Sequence, residues 1–135
     1  MGLAEARAIK EFETTIYPQL HKEIQTAAGF DVPIEVRWDT LARDSKYVTK
    51  WNEAWPKLYF KPIVEAFRAI CADELGAGAL RAKLQKVIVQ NTRDSYSSQW
   101  AKFEAGTLTL DTMFTNVDQV AERTKTLREH LEKAL

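Results

Sequence analysis

The chain has 135 residues, 45% of them hydrophobic and 28% charged, with 19 basic side chains against 19 acidic ones. That length suits one domain, 1–135, with a core of its own, and the composition excludes a disordered polymer. A formal net charge of zero leaves no cationic surplus to neutralise a phosphate backbone, so nucleic acid is not an expected partner.

The first residues lack the apolar centre of a signal peptide, and no apolar run is long enough to cross a bilayer. The lone Cys71 cannot form an internal disulfide. Together these favour a soluble protein of the cytoplasm. Residues 3–28 then read as helix, because Ile9, Phe12, Ile16, Leu20, Ile24 and Ala27 recur every three or four positions. Pro18 lacks an N–H and crowds the carbonyl of Thr14, so the helix kinks there or divides at Tyr17. Gly29 suits its C-terminal cap.

Ile34, Val36 and Trp38 alternate with Glu35 and Arg37, which predicts a strand with one buried face. Helical spacing returns over 40–55, with Val48, Trp51 and Trp55 on one side, and Trp55-Pro56 predicts its end. Pro62 suits the first turn of another helix carrying Ile63, Phe67, Ile70 and Cys71 inward. Asp73 is placed to cap a further helix ending near Lys83 or Leu84.

Residues 86–91 predict a second strand, followed by a polar, serine-rich loop over 92–98 expected at the surface. The clearest local signal is next. Alternating polarity on both sides of Gly106 predicts a hairpin in which Glu104 faces Thr107, Phe103 faces Leu108 and Ala101 faces Leu110. A bulged loop is the alternative at Ala105-Gly106, since Ala-Gly is a weaker two-residue turn than Asn-Gly. The other face carries Trp100, Lys102, Glu104, Thr107, Thr109 and Asp111. A last helix is predicted from an Asn116 cap, with Val117, Val120, Ala121, Thr124, Leu127 and Leu131 inward. Its solvated face would hold Glu122, Arg123, Lys125, Arg128, Glu129 and Lys133.

These elements predict an α+β domain: an antiparallel sheet of about four strands with helices packed mainly on one face. Three late strands close in sequence would form a meander, and the first strand would join one edge.

No catalytic, metal or cofactor motif stands out. One cysteine and two histidines make no zinc spacing, the serines lack a nucleophile elbow, and Gly76-Ala77-Gly78 lacks the lysine and serine of a phosphate loop. The leading expectation is therefore a non-enzymatic interaction module, binding a protein partner or a second copy through the outer sheet face at Arg37, Ile88, Trp100 and Lys102. An aromatic among polar neighbours is what makes that face a candidate. The alternative is a small-molecule-binding protein or enzyme with an aromatic-lined pocket at Trp51, Trp55 and Tyr59.

Overall fold

The computed structural model describes residues 2–135. Helix α1 (Leu3–Thr15) and helix α2 (Tyr17–Ala28) are separate, divided at Ile16. Pro18 falls in the first turn of α2, where a missing N–H leaves no hydrogen bond broken. Gly29 closes α2 at φ +81.

Strand β1 (Ile34–Val36) is short, because Trp38 already opens the four-residue helix α3 (Trp38–Leu41). A 3-10 turn over Ser45–Lys50 leads into α4 (Trp51–Trp55). The expected break at Trp55-Pro56 is absent. The chain passes through a π turn, Pro56–Phe60, directly into α5 (Lys61–Ile70). Wider i→i+5 closure suits a proline that has no N–H to give, and Leu58, Tyr59 and Phe60 are all buried there. Packing thus overrides the local preference of a residue before proline. Helix α6 (Glu74–Lys83) follows, with Asp73 Oδ1 accepting from the Gly76 N–H at 2.7 Å.

Gly76 is where α6 presses on the end of α5. A Cβ added there would lie 1.8 Å from the Ile70 carbonyl oxygen, whereas one at Gly78 would meet nothing within 4 Å. Gly76→Ala should therefore lower stability by about 1–3 kcal/mol through overpacking. Gly78→Ala should raise it by up to about 1 kcal/mol through helix propensity. Opposite movements of the urea midpoint for the two alanines are the check.

Strands β2 (Lys86–Gln90), β3 (Ala101–Glu104) and β4 (Thr107–Asp111) complete a four-stranded sheet of order β1-β2-β4-β3. The sheet is mixed, not antiparallel: β1 and β4 both run parallel to β2, and only β3 and β4 are antiparallel. Two connections explain this. The helices between β1 and β2 form the long crossover that a parallel pair requires. After β2 the chain steps past one strand position, builds β3 at the edge and returns by the hairpin to insert β4. Pairing neighbours in sequence as a meander misses that step.

Within the hairpin the expected register is present: Glu104 pairs with Thr107, Phe103 with Leu108 and Ala101 with Leu110. Ala105 (φ +51) and Gly106 (φ +82) form the turn, both in the left-handed region that a type I′ loop needs. Val87, Val89, Leu108 and Leu110 are buried on one sheet face and join a core with Trp51, Trp55, Tyr59, Phe60, Phe67 and Leu127.

The last helix, α7 (Val120–Ala134), begins three residues later than an Asn116 cap implies, since Asn116 is left-handed at φ +49. Its buried residues are Arg123, Leu127 and Leu131. Arg123 belongs to the interior rather than to the solvated face. The apolar stripe is rotated accordingly: Val120 and Thr124 are half-buried and Ala121 is exposed.

Candidate functional site

Three regions could carry function: the carboxyl end of the sheet, its outer face, and the surface formed by α5 and α7. At the first, the polar side chains buried among the described residues come together: Asn91, Ser95, Ser97, Asp111, Thr112 and Arg123. The reason is topological. The connection from β2 to β3 passes over the end of β4, so its backbone needs partners there.

Asp111, the last residue of β4, supplies most of them. Its Oδ1 accepts from the Thr92 N–H (2.8 Å) and the Arg93 N–H (3.3 Å). Its Oδ2 accepts from Thr92 Oγ1 (2.5 Å), Gln90 Nε2 (3.0 Å) and Arg93 Nε (3.4 Å). Burial alone would raise the pKa of this carboxyl. The bonds from Thr92, the Arg93 amide and Gln90 outweigh burial and hold it below the usual aspartate range. Thr112 Oγ1 donates to the Ser95 carbonyl at 2.8 Å, and Ser97 Oγ to Gln119 Oε1 at 2.7 Å. The serine-rich loop is therefore clamped, with Ser95 and Ser97 buried rather than at the surface. A carboxylate with both oxygens filled by structural donors has no lone pair left to act as a general base.

Arg123 is buried without a carboxylate. Its NH1 and NH2 donate to the carbonyls of Asn116 and Thr115 at 2.8 and 2.7 Å, and burial lowers its pKa. The Tyr59 hydroxyl donates to the Thr112 carbonyl at 3.0 Å, and burial pushes its pKa well up. Burial also raises the pKa of the Cys71 thiol, which favours its protonated form. Among the described residues no three His, Cys, Asp or Glu side chains gather where a metal could bind, and no helix is long and apolar enough to cross a membrane.

The outer sheet face keeps three of the four surface residues inferred from sequence. Arg37 and Lys102 are exposed and Ile88 is half-buried. Trp100 is the correction: it is fully buried. The residue adopts a helical conformation (φ −83, ψ −17) after the 3-10 turn Ser97–Gln99. Strand alternation therefore does not reach it, and its Nε1–H donates to the Arg123 carbonyl at 3.0 Å. It is a docking point for α7, not a recognition residue.

The remaining charges of this face are engaged with one another. Glu35 accepts from Lys86 Nζ (2.8 Å) and Arg37 Nε (2.7 Å), which hold its pKa down to about 2. Arg37 also reaches Gln90 Oε1 at 2.8 Å, and Lys102 pairs with Glu104 at 3.1 Å.

The aromatic pocket is likewise corrected. Trp51, Trp55 and Tyr59 are fully buried. The two indoles stack at 4.7 Å between ring centroids, Phe12 meets Trp55 edge-on at 5.1 Å, and the major concavities have none of the three in their walls. Spacing of three and four positions identified a buried helix face, which pattern alone does not distinguish from a pocket wall.

The third region was not singled out in sequence. A groove of about 930 Å³ runs between α5 and α7, walled by Glu65 and Ala69 on one side and by Val120, Ala121, Thr124, Lys125, Arg128, Glu129 and Glu132 on the other. Asp118 joins it to a hollow of about 280 Å³ beside Tyr47, Phe114 and Val117. Ala69, Arg128 and Glu132 join it to one of about 450 Å³ beside Leu75, Ala79 and Leu135. The three share these wall residues and are together called the trench. Leu75, at its far end, is 85% exposed. The signal in sequence was the stripe Val117, Val120, Ala121 and Thr124, which reads as core but is only half-buried at Val117, Val120 and Thr124 and exposed at Ala121. No protein-family model, characterised protein or solved structure matches this chain.

Proposed function

We propose that this protein is a non-enzymatic interaction module whose recognition surface is the trench along α5 and α7. The observation that carries the reading is the misfit on α7: the helix is patterned to bury Val120, Ala121 and Thr124, yet all three line a groove of about 930 Å³, Ala121 exposed and the other two only half-buried. An apolar stripe left partly uncovered by the rest of the chain marks an interaction surface. The reactive side chains support the same view, since Asp111, Tyr59 and Arg123 are all committed to holding loops. The outer sheet face is the weaker candidate, because Trp100, the aromatic that made it one, is fully buried.

A photo-cross-linking residue placed at Lys125, in the trench wall, should give protein adducts in cells, and one at Lys102 on the sheet should not. Ala121→Arg, which fills the groove, should abolish the Lys125 adducts while leaving the circular dichroism unchanged. Adducts from Lys102 alone would return the function to the sheet face, and none from either position would remove the interaction reading.

A further inference from the structure

The free edge of the sheet is closed by a titratable side chain that takes no part in the trench. We infer that His130 is a pH-sensitive latch on that edge: neutral, it fastens α7 to β3, and protonated, it lets go. Strand β3 ends the sheet and pairs on one side only, with β4. The Trp100 carbonyl accepts from the Asp111 N–H at 2.8 Å. That bond sets the alternation of an antiparallel pair: Lys102 and Glu104 bond to β4, while Ala101 and Phe103 aim their backbone groups away from it. The outward Phe103 N–H meets His130 Nε2, from α7, at 3.1 Å.

The donor fixes the state of the ring. A backbone amide can only donate, so Nε2 must offer a lone pair, and the imidazole is neutral with its proton on Nδ1. Protonation puts a hydrogen on both nitrogens. Nε2 then becomes a donor facing a donor, and the bond is lost. Imidazole is the side chain that makes this change between pH 5 and 8. His130 is exposed, so the proton comes directly from solvent.

The surroundings offer the charged ring no replacement bond. One turn away on α7 stand Thr126, Leu127, Lys133 and Ala134, none of them a carboxylate. On β3, Lys102 and Glu104 flank Phe103 and are paired with each other at 3.1 Å. The 3-10 turn Ser97–Gln99 carries no charge. On the other elements packed against α7, Glu65 of α5 is paired with Arg68 and Lys57 of the π turn with Asp118. The release is local, because the Trp100 indole still holds the Arg123 carbonyl at the start of α7. What acid frees is the outward backbone of β3, the kind of edge that a fold otherwise keeps covered.

Nuclear magnetic resonance on the whole chain tests this, and with two histidines in the sequence a variant of either assigns both rings. Long-range proton–nitrogen correlations near pH ~8, the neutral end of the imidazole range, should show His130 protonated at Nδ1 and bare at Nε2. Hydrogen exchange at the Phe103 amide, corrected for the intrinsic rate at each pH, should lose about tenfold in protection between about pH 8 and pH 5, the size of one hydrogen bond. The loss should follow the same midpoint as the His130 ring. His130→Gln, whose side-chain oxygen accepts at every pH, should keep the protection and abolish its pH dependence. His130→Ala should show the low protection throughout, with circular dichroism confirming the fold of both.

A His130 ring carrying its proton on Nε2 at neutral pH overturns the latch, and that measurement needs no variant. Protection at Phe103 that stays constant across the titration overturns it also. So does a pH dependence that survives unchanged in His130→Gln, since another group would then be its source. None of these results bears on the trench, which the cross-linking experiment judges separately.

Discussion

Replacing Trp100 by alanine should destabilise the fold by about 3–5 kcal/mol, a large share of the roughly 5–15 kcal/mol that holds a domain together. The indole is fully buried and its N–H ties the Arg123 carbonyl of α7. Truncation removes its packing and leaves a cavity between the start of β3 and α7. The variant should unfold at lower urea with an unchanged slope, as for an intact two-state fold made less stable. Trp100→Phe should recover most of the loss, lacking only the indole N–H bond. If Trp100→Ala instead kept full stability, the docking of α7 described here would be wrong.

Asp111→Asn should cost about 3 kcal/mol at neutral pH, because bonds from donors to a charged acceptor are the stronger kind and several are lost together. The shape of the side chain survives, but its new amide cannot accept from the donors that meet the displaced oxygen. The pH dependence has a definite sign. The folded-state pKa of Asp111 is depressed, so the folded protein binds fewer protons than the unfolded chain between the two pKa values. Its contribution is fully present above the unfolded aspartate value of about 3.9 and is lost as pH falls through the folded value. The stability gap between wild type and Asp111→Asn should therefore be constant near neutrality and narrow only in acid below about pH 4. Urea unfolding of both proteins across that range measures it. A gap that widened on acidification would mean that Asp111 is not the clamp of the 91–100 connection.

The two substitutions test the same tertiary event from two sides. The connection leaving β2 crosses the end of β4, and Asp111 pins its first residues while Trp100 anchors its last beneath α7. Neither role follows from local pattern. Trp100 sits two positions before Lys102 and reads as its neighbour on a strand face until the helical backbone at Trp100 turns the side chain away. Arg123 follows the same logic: by helical spacing it belongs among the charges of the outer face, yet the carbonyls of Thr115 and Asn116 draw it inside. With Arg123 inside, Ala121 is exposed and Val120 and Thr124 are half-buried along the groove.

What the sequence determined by itself is what depends on neighbours a few residues apart. The pairing of Phe103 with Leu108, the Asp73 cap, the burial of Val87 and Val89 and the stacked aromatic face of α4 all follow from side-chain periods of two or 3.6. What only the tertiary structure decided is the order and direction of the strands, the cover over Trp100, the closed core at Trp51, Trp55 and Tyr59, and the open groove beside α7. These depend on the path of a connection and on which surface meets which, and a repeating pattern shows that a face is apolar without naming what will lie against it.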